Sequence, residues 1–194
     1  MKPLNIVIFG APGSGKGTQS ELLIRQFGLN HISTGDVLRK EIADKTVLGS
    51  IAKSHINKGE LVPDNLIIDM LAKVLDNQPP GAGVIFDGFP RTLEQGKALN
   101  EMLAARNTEL SIVINLTVAE EELIHRLLKR GEISGRSDDN LETITARLNV
   151  YKSQTSPLVD FYQREGKLVE VAANGRSIEE IYADVERAID SILA

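Results

Sequence analysis

The stretch from Gly10 to Ser20, GAPGSGKGTQS, carries four glycines and a lysine in a spacing typical of a phosphate-binding loop. Short glycine-rich turns let backbone N–H groups converge on an anion, and a following helix points its positive end at the same place. Lys16 adds a cation for the β- and γ-phosphates. The usual hydroxyl directly after the lysine is replaced by Gly17 and arrives one place later, at Thr18. We therefore predict a nucleoside-triphosphate site that cannot present a magnesium-binding hydroxyl directly after its lysine.

Three further segments could supply charge to such a site. DGFPRTLEQ places Asp87 after an apolar stretch, where a phosphate-loop protein needs a carboxylate for magnesium, and adds Arg91 as a phosphate cation. A turn or helix cap is the alternative for Asp87. STGDVLR contains Thr34 and Arg39, although this stretch alone favours a capped helix with a solvent-facing arginine. His31, His55 and His125 have no motif context, so we expect them to be structural or exposed.

A cluster of basic residues follows later in the chain. Its members fall within 22 positions: Arg126, Lys129, Arg130, Arg136 and Arg147. Arg126 and Arg130 are four apart on a predicted helix and share a face. Nearby acidic residues leave a second interpretation open, a solvated surface of salt bridges: Glu120, Glu121, Glu122, Asp138 and Asp139. Gly131 and Gly135 flank a polar stretch suited to moving, which favours a functional set.

Alternating strands and helices must position these residues. Apolar stretches predict strands over 4–9, 30–33, 84–89, 109–116 and 167–172. Helical spacing predicts helices over 15–27, 34–42, 92–106, 119–130, 140–164 and 178–193. Gly28 is the expected stop of the first helix, Thr34 or Asp36 the cap of the second, and Asp139 with Glu142 a capping box for the fifth.

Continuous apolar strands separated by helices predict a parallel sheet covered on both faces. The fold class is therefore α/β, a three-layer α/β/α domain with a five-stranded parallel sheet. We divide the single domain of 194 residues into a core over 1–32, 63–130 and 141–194, with insertions at 33–62 and 131–140.

Composition excludes several classes of protein. The chain has no cysteine, which rules out disulfides and cysteine-based zinc sites, and its net charge of −5 disfavours general nucleic-acid binding. The first apolar run is too short for a signal peptide or a membrane span. We expect a cytoplasmic protein, monomeric, with no membrane or nucleic-acid partner.

Several of these motifs occur together in one known family. GAPGSGKGT, STGDVLR, GELVPD, DGFPRT and RLLKRGEISGRSDDN, with Arg147 and Leu148, stand in the order found in adenylate kinases, and the sequence resembles the short-lid type. The resemblance runs from about residue 5 to 175. In that family Gly-Lys-Gly-Thr is the normal form of the loop, so the hydroxyl at Thr18, one position later than in most phosphate-binding loops, fits the family's pattern.

The resemblance implies roles for individual residues. The implied ATP-binding residues are Gly13, Ser14, Gly15, Lys16, Gly17, Thr18, Arg126, Arg130 and Gly175. The implied AMP-binding residues are Thr34, Gly35, Arg39, Glu60, Leu61, Val62, Gly88, Phe89, Arg91, Gln95, Arg136 and Arg147. The implied catalytic set is Lys16, Arg91, Arg126, Arg130, Arg136 and Arg147.

The implied reaction is ATP + AMP ⇌ 2 ADP, with magnesium steadied by Asp87 through water and with no zinc. ATP, AMP and ADP are then the partners, the insertion at 33–62 closes over AMP, and the one at 131–140 is a short lid over ATP. Kinases for UMP and CMP are close relatives of this family, but Thr34 and Gln95 favour AMP. A guanine-nucleotide switch is a rival from another class, and its only support is NKGE at 57–60, a near miss to Asn-Lys-x-Asp. A scaffold that only binds ATP would not need so many arginines.

Overall fold

The computed structural model describes residues 3–79 and 81–194. Its five strands are β1 (Asn5–Gly10), β2 (Asn30–Ser33), β3 (Val84–Asp87), β4 (Ile112–Thr117) and β5 (Leu168–Ala172). They form one parallel sheet in the order β2-β3-β1-β4-β5. The predicted fold class and the five strands are confirmed, although β3 ends at Asp87 and β4 begins at Ile112 rather than 109. All six residues of β1 are buried, as expected for the middle of a sheet covered on both faces.

The helices that cover this sheet are α1 (Lys16–Phe27), α2 (Thr34–Ala43), α3 (Val47–Ile56), α4 (Asp64–Asp76), α5 (Leu93–Ala104), α6 (Glu120–Ser134), α7 (Leu141–Val150), α8 (Pro157–Arg164) and α9 (Ile178–Leu193). Helix α4 was not predicted. Gly28 ends α1 with a left-handed backbone, as predicted. The predicted helix over 140–164 consists of α7, a π-helical segment (Tyr151–Thr155) and α8.

Alternate side chains of β1 divide the core into two layers. Val7 and Phe9 face one cluster, packed with residues of α4, α5 and α8, whereas Ile6 and Ile8 face the other, which includes residues of α1 and α9. A third cluster joins α6 to α7 through Leu123, Leu127, Ile144 and Leu148. Within the described residues, no helix is both long and apolar enough to cross a membrane.

Two predicted caps are wrong. Ser33 caps α2, since its side chain accepts a hydrogen bond from the amide of Asp36, and it has the extended backbone that a cap requires. Asn140 caps α7 by accepting from the amide of Thr143. The carboxylate of Asp139, predicted to start a capping box, instead contacts arginines.

The predicted polar loop at 131–140 is shorter than expected. Helix α6 continues to Ser134 and ends at Gly135, whose φ of 63° is left-handed. Gly131 lies inside the helix, where an added Cβ would lie 2.7 Å from the carbonyl oxygen of Asp139. The non-helical part of the predicted lid is therefore only residues 135–140.

Candidate functional site

The carboxyl ends of three neighbouring strands meet at one edge of the sheet and bring the predicted site residues together. Ile8 of β1 and Ser33 of β2 are both in register with Asp87, the last residue of β3. Ligands of open parallel sheets bind at this edge. Here a cleft opens between the loop after β1, helix α2 and the loop after β3.

The backbone from the end of β1 to the start of α1 has positive φ at three glycines: Gly10, Gly13 and Gly15. Gly10 has a φ of 145°, and an added Cβ would lie 2.3 Å from Oγ of Ser14 and 2.9 Å from the carbonyl oxygen of Leu116. Gly15 has a φ of 97° at the start of α1. Gly17, by contrast, has no other atom within 4 Å of an added Cβ. Packing within the chain therefore does not explain Gly17, and the open space beside it suits a ligand that approaches the backbone.

Lys16 lies inside this loop rather than extended into solvent. Its Nζ donates to the carbonyl oxygens of Gly10 at 2.8 Å and Ala11 at 3.0 Å. Burial lowers the pKa of Lys16 to about 8; the carboxylate of Asp87 opposes that shift, and Arg91 and other nearby arginines reinforce it. An anion placed beside this ammonium would favour its protonated form.

Arg91 is fixed at several points on the opposite side of the cleft. Its Nε donates to the carbonyl oxygen of Gly88 at 2.8 Å, and its own carbonyl oxygen accepts from Oγ1 of Thr155 at 2.8 Å. Its amide donates to Oε1 of Gln95 at 2.8 Å. Burial and the neighbouring Arg147 lower the pKa of Arg91 from its usual range. Among residues 3–79 and 81–194 no carboxylate forms an ion pair with the half-buried guanidinium of Arg91, which is therefore suited to an anionic ligand.

Two arginines that follow in the chain share a buried carboxylate. Arg130 donates to both oxygens of Asp139, at 2.7 and 2.8 Å, and Nη1 of Arg147 lies 3.1 Å from Oδ1 of Asp139. The side chain of Asp139 is 0% exposed. Although burial opposes it, the two arginines hold the pKa of Asp139 below its usual range. Nη1 of Arg147 also lies 2.8 Å from Asp138.

Asp87 places a carboxylate at the same edge of the sheet, where its oxygens could bind a metal ion. Within the described residues its carboxylate accepts no hydrogen bond, and its only ion-pair contact is Nε2 of His31 at 4.0 Å. A single uncommitted carboxylate beside a phosphate-binding loop fits Mg²⁺, which prefers oxygen ligands and keeps several waters. No group of three or more acidic, histidine or cysteine side chains in the described part of the chain could hold a metal by itself.

Comparison with known proteins agrees with this geometry. A family model described as adenylate kinase matches residues 8–167. An adenylate kinase of Parabacteroides distasonis is 62% identical over 97% of this chain and 99% of its own length. Adenylate kinases of Phocaeicola vulgatus and Porphyromonas gingivalis are 57% and 55% identical, over 97% and 96% of this chain and 100% and 96% of their own lengths. The chain belongs to the adenylate kinase family.

Family membership confirms the predicted adenylate kinase function and the enzyme class, a phosphotransferase. Adenylate kinases bind ATP, AMP and ADP, and the family uses magnesium-bound ATP. The short-lid type and the role of each residue stay predictions.

Most residues predicted to bind AMP lie on the cleft. The predicted residues among its lining are Thr34, Gly35, Arg39, Glu60, Leu61, Val62, Gly88, Arg91, Gln95 and Arg147. Phe89 is 1% exposed and belongs to the core beside the sheet. Arg136 lies in a neighbouring pocket with Arg39 and Lys53, and burial and nearby arginines lower its pKa.

The residues predicted to bind ATP are more dispersed. Lys16 lines the cleft, whereas Arg126 donates to Glu122 and, at 3.1 Å, to the carbonyl oxygen of Ala173. Glu122 also accepts from the amide of Gly175 at 3.1 Å, so Glu122 links Arg126 to Gly175. Ser14 is buried, and its amide donates to the carbonyl oxygen of Ala11 at 3.1 Å. Thr18 is exposed in the first turn of α1.

Two residues that hold others in place, Thr155 and Asp64, were not predicted from the sequence. Thr155 lies 64 positions beyond the carbonyl group it contacts, and nothing in its neighbourhood indicates that contact. Asp64 contacts Gln95 and Thr92. Asp64 stands at the end of the motif GELVPD, so its position in the family's motif was a usable signal.

Proposed function

We propose that the cleft holds AMP and ATP with their phosphates facing each other, beside Lys16, Arg91 and Arg147. The observation that carries this is the convergence of three cations from three separate elements: the first residue of α1, the loop after β3, and α7. Opposing polyanions repel each other, so a site that joins two nucleotides needs such a concentration of positive charge.

On the acceptor side, Thr34, Arg39 and Arg91 bind the phosphate of AMP, and Gln95 with the 60–62 segment contacts its adenine. Support comes from their common position on the cleft lining. Thr34 also donates from Oγ1 to the carbonyl oxygen of Gly88 at 2.8 Å, which ties α2 to the loop that carries Arg91.

On the donor side, the loop residues 13–18 bind the phosphates of ATP through backbone amides and Lys16. Arg126 and Arg130 assist on the triphosphate, Gly175 lies near the adenine, and Arg136 and Arg147 contact the transferred group and the phosphate of AMP. The bond from Arg126 to the carbonyl of Ala173 supports a link between the triphosphate and the 173–175 turn.

The reaction is an in-line transfer. An oxygen of the AMP phosphate forms a bond to the γ-phosphorus of ATP while the bond to the β–γ bridging oxygen breaks, leaving two ADP molecules. The nucleophile is already anionic at neutral pH, so no general base is required. Lys16 and the arginines hold the reactants in line and offset charge on the transferred group.

Magnesium supplies further charge stabilisation on the donor phosphates when it is bound. Asp87 would hold it through water, which agrees with the uncommitted carboxylate of Asp87 and with the absence of a hydroxyl at position 17. We retain the division into a core with insertions at 33–62 and 131–140 as closing segments, and a monomeric, cytoplasmic enzyme.

The test is ADP formation from magnesium-ATP with AMP, UMP, CMP or GMP as acceptor. We expect AMP to be preferred, and Arg91→Met to raise the KM for AMP more than that for ATP. Arg25→Met, an exposed position on α1, is the matched control and should leave both constants unchanged. Preference for a pyrimidine acceptor, or a larger effect of Arg91→Met on ATP, would refute the assignment.

A further inference from the structure

Asp64 is the first residue of α4, two positions after the 59–62 segment that lines the cleft. Its Oδ1 accepts a hydrogen bond from Nε2 of Gln95 at 2.7 Å, and its Oδ2 accepts one from Oγ1 of Thr92 at 2.8 Å. Gln95 is one of the residues that line the cleft, and Asp64 is not. Asp64 can therefore act on a ligand only through Gln95.

The two neighbours of the Gln95 amide leave it one orientation. An ionised carboxylate can only accept a hydrogen bond, so the NH₂ group must face Asp64. The backbone amide of Arg91 can only donate, so Oε1 must face Arg91, to which it is 2.8 Å distant. Both contacts demand the same arrangement, and Gln95, at 1% exposed, has no alternative partner in solvent.

This arrangement leaves one N–H and one oxygen lone pair of the amide uncommitted, in fixed places. Adenine presents an amino donor beside a ring-nitrogen acceptor, whereas hypoxanthine and guanine present a carbonyl acceptor beside a ring N–H donor. A freely rotating amide could serve either pattern, but an amide of fixed orientation matches one and opposes the other.

We propose that Asp64 is a positioning residue that fixes the Gln95 amide and thereby makes the cleft select adenine over 6-oxopurines. The proposal rests on the proposed function, because it takes Gln95 as the residue that contacts the acceptor base. Aspartate is needed rather than asparagine, since both oxygens accept: one from Gln95 and one from Thr92. Asparagine offers one accepting oxygen and would leave one of these donors unmatched.

A purely structural role is the alternative. Asp64 is a carboxylate in the first turn of α4, where it stabilises the helix, and it links that helix to Thr92, the cap of α5. That role would lower stability without changing which base is preferred. The deciding readout is therefore the ratio of kcat/KM for AMP to kcat/KM for IMP. Adenine has an amino group beside an accepting ring nitrogen, whereas the hypoxanthine of IMP has a carbonyl group beside a ring N–H.

The experiment compares Asp64→Asn and Asp64→Leu with Asp69→Asn, an exposed position on the same helix. Both Asp64 variants should raise the KM for AMP, Asp64→Leu by about tenfold, and should lower the AMP-to-IMP ratio by about tenfold. The KM for ATP should change by less than about twofold, and Asp69→Asn should behave as the unchanged chain does.

Thr92→Val is a second arm, because it removes one partner of Asp64 but keeps the contact to Gln95. It should lower the ratio less than Asp64→Leu does. Thermal unfolding of every variant reports on the structural role. An unchanged AMP-to-IMP ratio in folded Asp64→Leu and Asp64→Asn, or an equal loss for ATP and AMP, would overturn the inference. If the unchanged chain does not use AMP at all, the proposed function fails instead.

Discussion

The two sides of the cleft hold their arginines in opposite ways. On the acceptor side, Arg91 is fixed by uncharged partners: a backbone carbonyl for its guanidinium, an amide oxygen for its N–H, and a threonine hydroxyl for its carbonyl. On the other side, next to the proposed lid at 131–140 and called the lid side below, Arg130 and Arg147 are fixed by carboxylates, of which Asp139 is fully buried.

This difference affects what each side can do for a phosphate. Uncharged partners leave the full positive charge of Arg91 available to a ligand. Carboxylate partners partly offset the charge of Arg130 and Arg147, so a phosphate must share these arginines with Asp138 and Asp139. On the acceptor side, Arg91 is therefore held in place and keeps its full charge for a ligand. On the lid side, the carboxylates that hold Arg130 and Arg147 in place also offset part of their charge.

Lys16 lies between the two sides, and its removal should have the largest effect. Lys16→Met deletes a cation that no neighbouring group can replace in the loop, so we expect turnover to fall by about 10²- to 10³-fold. Steady-state kinetics and thermal unfolding would measure this. Lys97→Met, on the exposed face of α5, is the matched control. Near-normal turnover in folded Lys16→Met would contradict the role we assign to Lys16.

The carboxylate that joins the lid-side arginines should come next. Asp139→Asn breaks the paired contact to Arg130 and weakens the one to Arg147, so we expect turnover to fall by roughly 10- to 100-fold through misplacement of both. The free energy of unfolding should fall by about 2 kcal/mol, less than for a fully buried pair because Arg130 is partly exposed. Chemical denaturation and turnover assays would test both values.

Asp138→Asn removes a second carboxylate near Arg147 and is compared with Asp139→Asn. In the part of the chain that the structure describes, the Asp138 carboxylate forms an ion pair with Arg147 alone. The backbone oxygen of Asp138 also accepts from Arg147 at 3.2 Å, a bond that the substitution keeps. Its effect on turnover should be clearly smaller. Equal effects of Asp138→Asn and Asp139→Asn on turnover would show that the placement of Arg130 and Arg147 does not depend on the buried carboxylate that they share.

The fold could be predicted because buried parallel strands are continuous apolar runs. The six residues of β1 and the glycine turn after it show that pattern plainly. Helix α4 could also have been recognised, since Ile67, Met70, Leu71 and Leu75 repeat at helical spacing and are all buried. It was missed although the signal was present.

The contacts that hold the arginines of the site in place could not be predicted in the same way. Asp139 and Asn140 are adjacent and both suit a helix cap. Only the position of Arg130 across a turn decides that the Asp139 carboxylate forms an ion pair and that Asn140 caps α7. Thr155 reaches Arg91 from the π-helical segment, and the residues YKSQT do not indicate that geometry. Motifs identify residues that contact ligands, whereas their supports depend on packing between distant parts of the chain.

The pKa of Lys16 predicts how the donor side responds to pH. With a pKa of about 8 in the free protein, the ammonium is charged below pH 8 and increasingly neutral above it. We propose that ATP binds the form with a charged Lys16, so the apparent Kd for ATP should be about tenfold larger at pH 9 than at pH 7. Calorimetric titration of ATP across this range would measure it. Lys16→Arg stays charged and should lose this dependence; an identical profile in that variant would assign the titration to another group.

The smallest expected effect tests the uncharged support of the acceptor side. Thr155→Val keeps the shape of the side chain but leaves the carbonyl oxygen of Arg91 without its 2.8 Å partner, at a cost of about 1 kcal/mol. Because we propose that Arg91 binds the acceptor phosphate, we expect the KM for AMP to rise about fivefold while that for ATP stays within about twofold. Thr145→Val, which removes an exposed hydroxyl bonded to the carbonyl oxygen of Leu141, is the control and should change neither constant. If Thr155→Val lowers only the melting temperature, this bond stabilises the fold without positioning Arg91, and the rigidity of the acceptor side then depends on Gly88 and Gln95 alone.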